Sequence, residues 1–192
     1  HMPKLKVVQL STAGYEEVLE FMRPGLTLCN AKGVHDESTA ELALGLTIAA
    51  LRGFPNIFHN QMHGQWNREQ GKSLTGSTIG IIGFGSVGRM IKKNLSGFTI
   101  ETVAFSRSGS DESKRIDELD RELPHLDIVI LAAPLNSGSR KLFDAGRLAL
   151  MKDGALLVNV ARGQIIDTDA LIVELNSGRI QAALDVTDPE PL

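Results

Sequence analysis

Apolar runs recur through the second half of this chain at 78–82, 99–105, 127–133, 155–161 and 181–186, each rich in β-branched and aliphatic residues. Runs of that length and composition predict buried strands. Segments with helical patterning lie between them at 86–96, 144–151 and 167–177, the last followed by Gly178 as a C-terminal stop. Alternation of this kind predicts a doubly wound α/β fold, a parallel sheet with helices on both faces. Residues 111–121 are charged and give no clear period.

The first half is patterned differently. Residues 4–10 and Thr27-Leu28-Cys29 read as short strands, separated by a loop and a short helix over 11–25. Asp36-Glu37-Ser38-Thr39-Ala40-Glu41 opens a long helix, with Ser38 and Glu41 at capping-box spacing and acids in the first turn. Over 42–51 that helix is apolar on nearly every side, which predicts burial between domains or subunits. Pro55 interrupts the pattern, and 60–74 is polar and irregular around Trp66, as an arm or linker would be. The reading is a remnant of a second domain over 1–30 and a nucleotide-binding domain over 31–192, whose interdomain helix and arm occupy 36–74.

The most specific chemistry sits where the strand at 78–82 meets the helix at 86–96. Gly83-Phe84-Gly85-Ser86-Val87-Gly88 joins them. A strand, a glycine turn and a helix N-terminus together make a Rossmann dinucleotide site. Gly83 permits the turn, Gly85 lets the backbone approach the phosphates, and Gly88 lets helix and strand pack closely. The anion is held by free N–H groups at the positive end of the helix dipole.

The next strand should end with the group that reads the adenosine ribose, about 20 residues beyond the loop. Ser106, Arg107 and Ser108 stand there, with no carboxylate. A guanidinium between two hydroxyls suits a 2′-phosphate, although an arginine at a strand end is also commonly a solvated loop residue. The missing acid and the added arginine together favour NADP(H), with NAD(H) second.

Bulk properties narrow the class. The formal net charge is −3 over 192 residues, which gives no electrostatic attraction to nucleic acid or to an anionic membrane. The single cysteine, Cys29, excludes an internal disulfide, suits a reducing compartment and reads as a small buried residue. With no signal peptide and no apolar run long enough to span a bilayer, a cytoplasmic protein is expected. His1-Met2 reads as a scar of tag removal and is set aside. His59 and His63 have the i, i+4 spacing of metal ligands, but no third ligand is apparent and no metal is expected. His35 and His125 read as structural.

Asn159-Val160-Ala161-Arg162-Gly163-Gln164-Ile165-Ile166-Asp167 closes the strand at 155–161. An arginine at the carboxyl end of a buried strand either holds a carboxylate and polarises a carbonyl, or ties down the sheet end. The residue alone does not separate the two.

Taken together, Glu41-Leu42-Ala43-Leu44-Gly45-Leu46, the glycine loop, Ala132-Ala133-Pro134-Leu135, the stretch from Met151 to Asp167 and Leu184-Asp185-Val186-Thr187-Asp188-Pro189-Glu190-Pro191 resemble the D-isomer-specific 2-hydroxyacid dehydrogenase family. Among its members the chain looks most like the glyoxylate, hydroxypyruvate and hydroxyphenylpyruvate reductases. The resemblance implies two catalytic residues. Arg162 matches the arginine that binds the substrate carboxylate and 2-oxo oxygen, and Glu190 matches the acid paired with a catalytic histidine. It also implies that Ala13 and Gly14 help hold the carboxylate through backbone N–H groups. Ala133, Pro134, Val160, Ala161 and Asp185 would contact the cofactor. The implied reaction is hydride transfer to a small 2-oxo acid with a proton from an imidazolium, in a homodimer. The family histidine falls beyond the Glu-Pro block, where this chain stops, so a fragment that binds nucleotide and turns over poorly is expected. The spacing from Gly178 to Asp185 is one residue shorter than in many members. Two other readings remain at this point: a nucleotide-sensing, corepressor-like binding protein, and an NAD-dependent phosphoglycerate-type dehydrogenase.

Overall fold

The computed structural model describes Met2, residues 4–67 and residues 70–190. Its centre is a six-stranded, wholly parallel sheet in the order β5-β4-β3-β6-β7-β8. The strands are β3 (Thr78–Ile82), β4 (Glu101–Ser106), β5 (Lys114–Arg115), β6 (Ile128–Leu131), β7 (Leu156–Asn159) and β8 (Gln181–Leu184). From β3 the chain winds outward to β4 and β5, then returns to β6 on the other side and winds outward to β7 and β8. The strand order therefore reverses between β3 and β6, and a crevice opens there at the carboxyl ends.

Alternation within the strands divides the core. Ile79, Ile81, Ile128, Ile130, Leu156 and Val158 face one side, against Ala40 and Ala43 of α1 (Asp36–Leu51) and Ile91 and Leu95 of α3 (Ser86–Leu95). Ile82, Phe105, Val129, Leu131 and Leu157 face the other. There they meet Leu119 of α4 (Leu119–Glu122), Leu148 of α5 (Ala145–Leu150) and Leu171 of α6 (Thr168–Asn176). All these core side chains are nearly or fully buried, and burial of each of the larger ones contributes about 1.5–3 kcal/mol. Asp144 and Asp167 cap α5 and α6, accepting from the N–H groups of Arg147 and Ala170. The Lys141 ammonium, hydrogen-bonded to Asp167, holds that carboxyl below its usual range.

Charged groups tie down the opposite edge of the sheet. Asp127 accepts from the Thr78 N–H at 2.9 Å and from Lys152 at 2.6 Å, joining the starts of β3 and β6. Burial opposes its ionisation, but the Lys152 ammonium and the Thr78 N–H outweigh burial and hold the carboxyl below its ordinary range. Arg179 links Glu174 at 2.6 Å to the carbonyls of Met151 and Leu148.

Several expectations for the first half are corrected. α1 begins one turn earlier than the capping-box spacing suggests: its N-cap is His35, and the Ser38 hydroxyl donates to the His35 carbonyl instead of capping. Among its residues Ala40, Ala43 and Thr47 are buried, while Leu42 is exposed. Pro55 opens a helix, α2 (Phe54–Met62), from its first turn, where a missing N–H costs nothing. The irregular stretch therefore starts after Met62. Its Arg68 and Glu69 lie outside the described residues, as do Pro191 and Leu192. The patternless segment at 111–121 holds β5, a 3₁₀ turn (Ile116–Glu118) and the start of α4.

Residues 4–31 form a separate, thin layer. β1 (Val7–Gln9) and β2 (Thr27–Cys29) pair in parallel around a 3₁₀ segment, Glu16–Phe21, and none of the described residues in this span is buried.

Candidate active site

Gly83 adopts φ +99°, and a Cβ there would lie 2.5 Å from the Ala133 backbone. A side chain is excluded both by conformation and by space. Gly88 stands equally close to the strand, since its Cβ would fall 2.2 Å from the Gly83 carbonyl oxygen. Gly85, the N-cap of α3, has nothing within 4 Å of where its Cβ would be. That open space lies over the first-turn N–H groups of Ser86, Val87 and Gly88, which precede the first intrahelical bond from Arg89 to Gly85. Free donors, a positive helix end and an unobstructed approach fit a pyrophosphate. Phe84 is buried beneath the cations of Arg89 and Lys92, 4.8 and 5.4 Å from its ring centroid.

The crevice continues as a cavity of about 380 Å³. Ala13, Gly14, Gly85, Ser86, Val87, Ala133, Pro134, Val160, Ala161 and Arg162 all line it, so most of the sequence-identified positions converge on one space. A fully buried amide sets its arginine. Asn159 donates to the Arg162 carbonyl at 2.9 Å and accepts from the Ala161 N–H at 3.0 Å, fixing the turn that ends β7. The Arg162 guanidinium donates through Nη1 to the Ala161 carbonyl at 2.6 Å. Its Nη2 would be 1.5 Å from a Cβ on Gly14, so a side chain at that position would have to displace the guanidinium. Gly163 is pressed against the Thr187 carbonyl at 2.0 Å from its would-be Cβ, bringing the loop after β8 to this corner.

Other expected positions stand apart from that cavity. Ser106 and Ser108 are at the tip of β4. The Ser106 hydroxyl bonds Ser113, which bonds Ser110, and Ser108 lines a neighbouring cavity of about 680 Å³ with Ser110, Lys114 and Arg115. Arg107 between them is exposed. Glu112, on the same rim, is paired with Arg89. Asp185 is exposed just beyond β8, its N–H donating to Asn159. Glu190 is exposed and accepts from the Thr187 N–H at 3.2 Å.

Sequence reasoning missed six residues that line the Arg162 cavity: Tyr15, Glu16, Asn30, Lys32, Thr39 and Ala132. Asn30 had a signal, since it follows a predicted strand at its carboxyl end. Its side chain donates to the Ala13 carbonyl at 2.7 Å and holds that loop in place. His35, His59, His63 and His125 are not among the cavity's lining residues. The rings of His59 and His63 stack on exposed α2 and the turn after it, 4.3 Å apart. Among the described residues no cluster of three or more His, Cys, Asp or Glu could hold a metal, and no helix is long and apolar enough to cross a membrane.

Residues 44–192 match the family model described as D-isomer specific 2-hydroxyacid dehydrogenase, NAD binding domain. A glyoxylate reductase of Thermococcus kodakarensis is 34% identical over 206 residues, covering 98% of this chain and 62% of its own length. A hydroxypyruvate reductase of Thermotoga maritima is 32% identical, covering 97% of this chain and 63% of its own. Among solved structures, the NADPH-dependent glyoxylate/hydroxypyruvate reductase of Sinorhizobium meliloti, in complex with NADP and malonate, superposes with a TM-score of 0.90 at 28% identity. It is covered to 63% by this chain, of which 99% is matched. The chain thus spans somewhat under two thirds of these relatives.

Proposed function

Because the chain belongs to the D-isomer-specific 2-hydroxyacid dehydrogenase family, we propose that the intact protein reduces a small 2-oxo acid to the D-2-hydroxy acid, with NADPH preferred over NADH. Residues 31–192 carry the dinucleotide, and 1–30 belong to a substrate-binding domain. The observation that supports this reading best is Arg162, just past the carboxyl end of β7 and in the cavity that the glycine loop opens.

The loop from Gly83 to Gly88 takes the pyrophosphate, while Pro134, Val160 and Ala161 flank the nicotinamide end and Asp185 reaches its amide. Ser106, Arg107 and Ser108 take the 2′-phosphate, with Glu112 neutralised by Arg89 and so less able to repel it. When bound, the nicotinamide supplies a hydride to the carbonyl carbon. Arg162 grips the substrate carboxylate and draws electron density toward the 2-oxo oxygen, and the N–H groups around Ala13 and Gly14 complete the grip. On the resemblance to the family, the proton would come from an imidazolium paired with Glu190. Residues 1–192 alone would bind cofactor and leave 2-oxo acids unreduced.

Exposed Leu42, Phe54, Ile57, Phe58, Met62 and Trp66 give α1, α2 and the arm an uncovered apolar face. A second copy of the chain covers it in a cytoplasmic homodimer.

The test is calorimetric titration with NADPH and NADH at fixed salt, alongside assays of the intact protein on glyoxylate, hydroxypyruvate and phenylpyruvate. Tighter NADPH binding with turnover supports the proposal. Tighter NADH binding overturns the cofactor preference. Binding without turnover by the intact protein moves it to nucleotide sensing.

A further inference from the structure

The guanidinium expected to receive the substrate carboxylate already faces one. Glu16 Oε2 lies 3.7 Å from Arg162 Nη2, and the same oxygen accepts the Tyr15 N–H at 2.9 Å. Its side chain is only 22% exposed and lines the cavity. Glu16 therefore faces one donor of the fork, takes an N–H of the neighbouring loop, and keeps a negative charge inside the space a substrate must enter. Arg162 spends its other arm on the Ala161 carbonyl. The pair of Arg162 and Glu16 is electrically neutral and leaves Lys32 as the other cation among the cavity's described lining residues, so an entering monoanion is balanced while a dianion adds one uncompensated charge beside a carboxylate.

We propose that Glu16 is a specificity-determining residue of the substrate cavity, competing with the substrate carboxylate for Arg162 and the Tyr15 N–H and restricting the site to 2-oxo acids with a single negative charge. The proposal rests on the reading of Arg162 as the carboxylate receptor. Glu16 makes no bond to a reacting atom. Its effect falls on substrate affinity and selection, leaving the hydride step alone.

The experiment uses the intact protein, its Glu16→Gln variant, which keeps shape and removes charge, and Glu16→Asp, which keeps charge. Oxamate binding is measured by calorimetry in the presence of NADPH, and steady-state kinetics are measured on glyoxylate and 2-oxoglutarate. In E16Q, oxamate affinity should rise about tenfold and the KM for glyoxylate should fall by a similar factor, while kcat stays within about twofold. The kcat/KM ratio of 2-oxoglutarate to glyoxylate should also rise about tenfold in E16Q and stay at the parent value in E16D. Unchanged oxamate affinity in E16Q, or a raised KM with a lowered kcat, overturns the proposal while the parent remains active. A parent that neither binds oxamate nor reduces any 2-oxo acid overturns the functional reading, and this proposal with it.

Discussion

The glycine crevice and the thin layer of residues 4–31 are both built from parallel strands, yet they are held in opposite ways. Around the crevice, backbone and core specify each other. β3 is buried along nearly its whole length, Gly83 touches the Ala133 backbone, and Gly88 rests on Gly83. In the thin layer, two three-residue strands pair through backbone bonds while Phe21, Val7 and Leu19 stand 71%, 54% and 52% exposed. Parallel strands are usually covered on both faces. The crevice is finished by its own sequence, whereas the layer leaves its apolar side chains uncovered. A site lined from both regions, as the Arg162 cavity is, joins a buried wall to an exposed one.

The contrast breaks first at Gly83. Gly83→Ala places a methyl group against backbone in a left-handed conformation, and it should cost about 3 kcal/mol or more in chemical denaturation. A loss below about 1 kcal/mol would mean that the crevice wall yields like the layer does.

A middle-sized effect is expected at the far edge of the sheet. Asp127 has a depressed carboxyl pKa, so its contribution is fully present above the unfolded value near 4 and is lost as pH falls through the lower folded value. Asp127→Asn should cost about 1–2 kcal/mol at neutral pH, and parent and variant should converge as pH falls from neutral into acid through the folded value. Urea melts across that range read the convergence directly, and parallel curves would remove Asp127 as a charged tie.

The smallest effect is expected in the thin layer. Phe21→Ala should change the stability of residues 1–192 by less than about 0.5 kcal/mol. In the intact protein, where a covering domain is proposed, the same change should cost about 2 kcal/mol. Equal effects in both would show that Phe21 faces solvent throughout.

The same difference explains what could be read in advance. β3, β6 and β7 are legible because burial on both faces demands uninterrupted apolar runs, and β4 and β8, only partly buried, because they keep short apolar stretches. Lys114–Arg115 is invisible as a strand because both residues are exposed at the sheet edge and are held by pairing alone. α2 was missed because Pro55 reads as a breaker, while in the first turn it is a starter. Within the site, Arg162 is singled out by its strand-end position together with the family resemblance, and Val160 and Pro134 by the resemblance alone; all three line the cavity. Glu16 gave no such signal. It owes its place to a contact between the thin layer and β7, and no local pattern encodes a pairing across that separation.

The glycine loop also divides its labour among residues of one type. Gly83 and Gly88 answer to the polypeptide, for which any side chain would be an obstruction. Gly85 has an ordinary backbone and empty space around it, so the fold alone makes no demand for glycine there. On the proposed reading, its smallness leaves room for the dinucleotide. An alanine at that position would leave a native protein with its doorway narrowed, giving a folded reference against which the contribution of the remaining crevice to nucleotide recognition can be weighed.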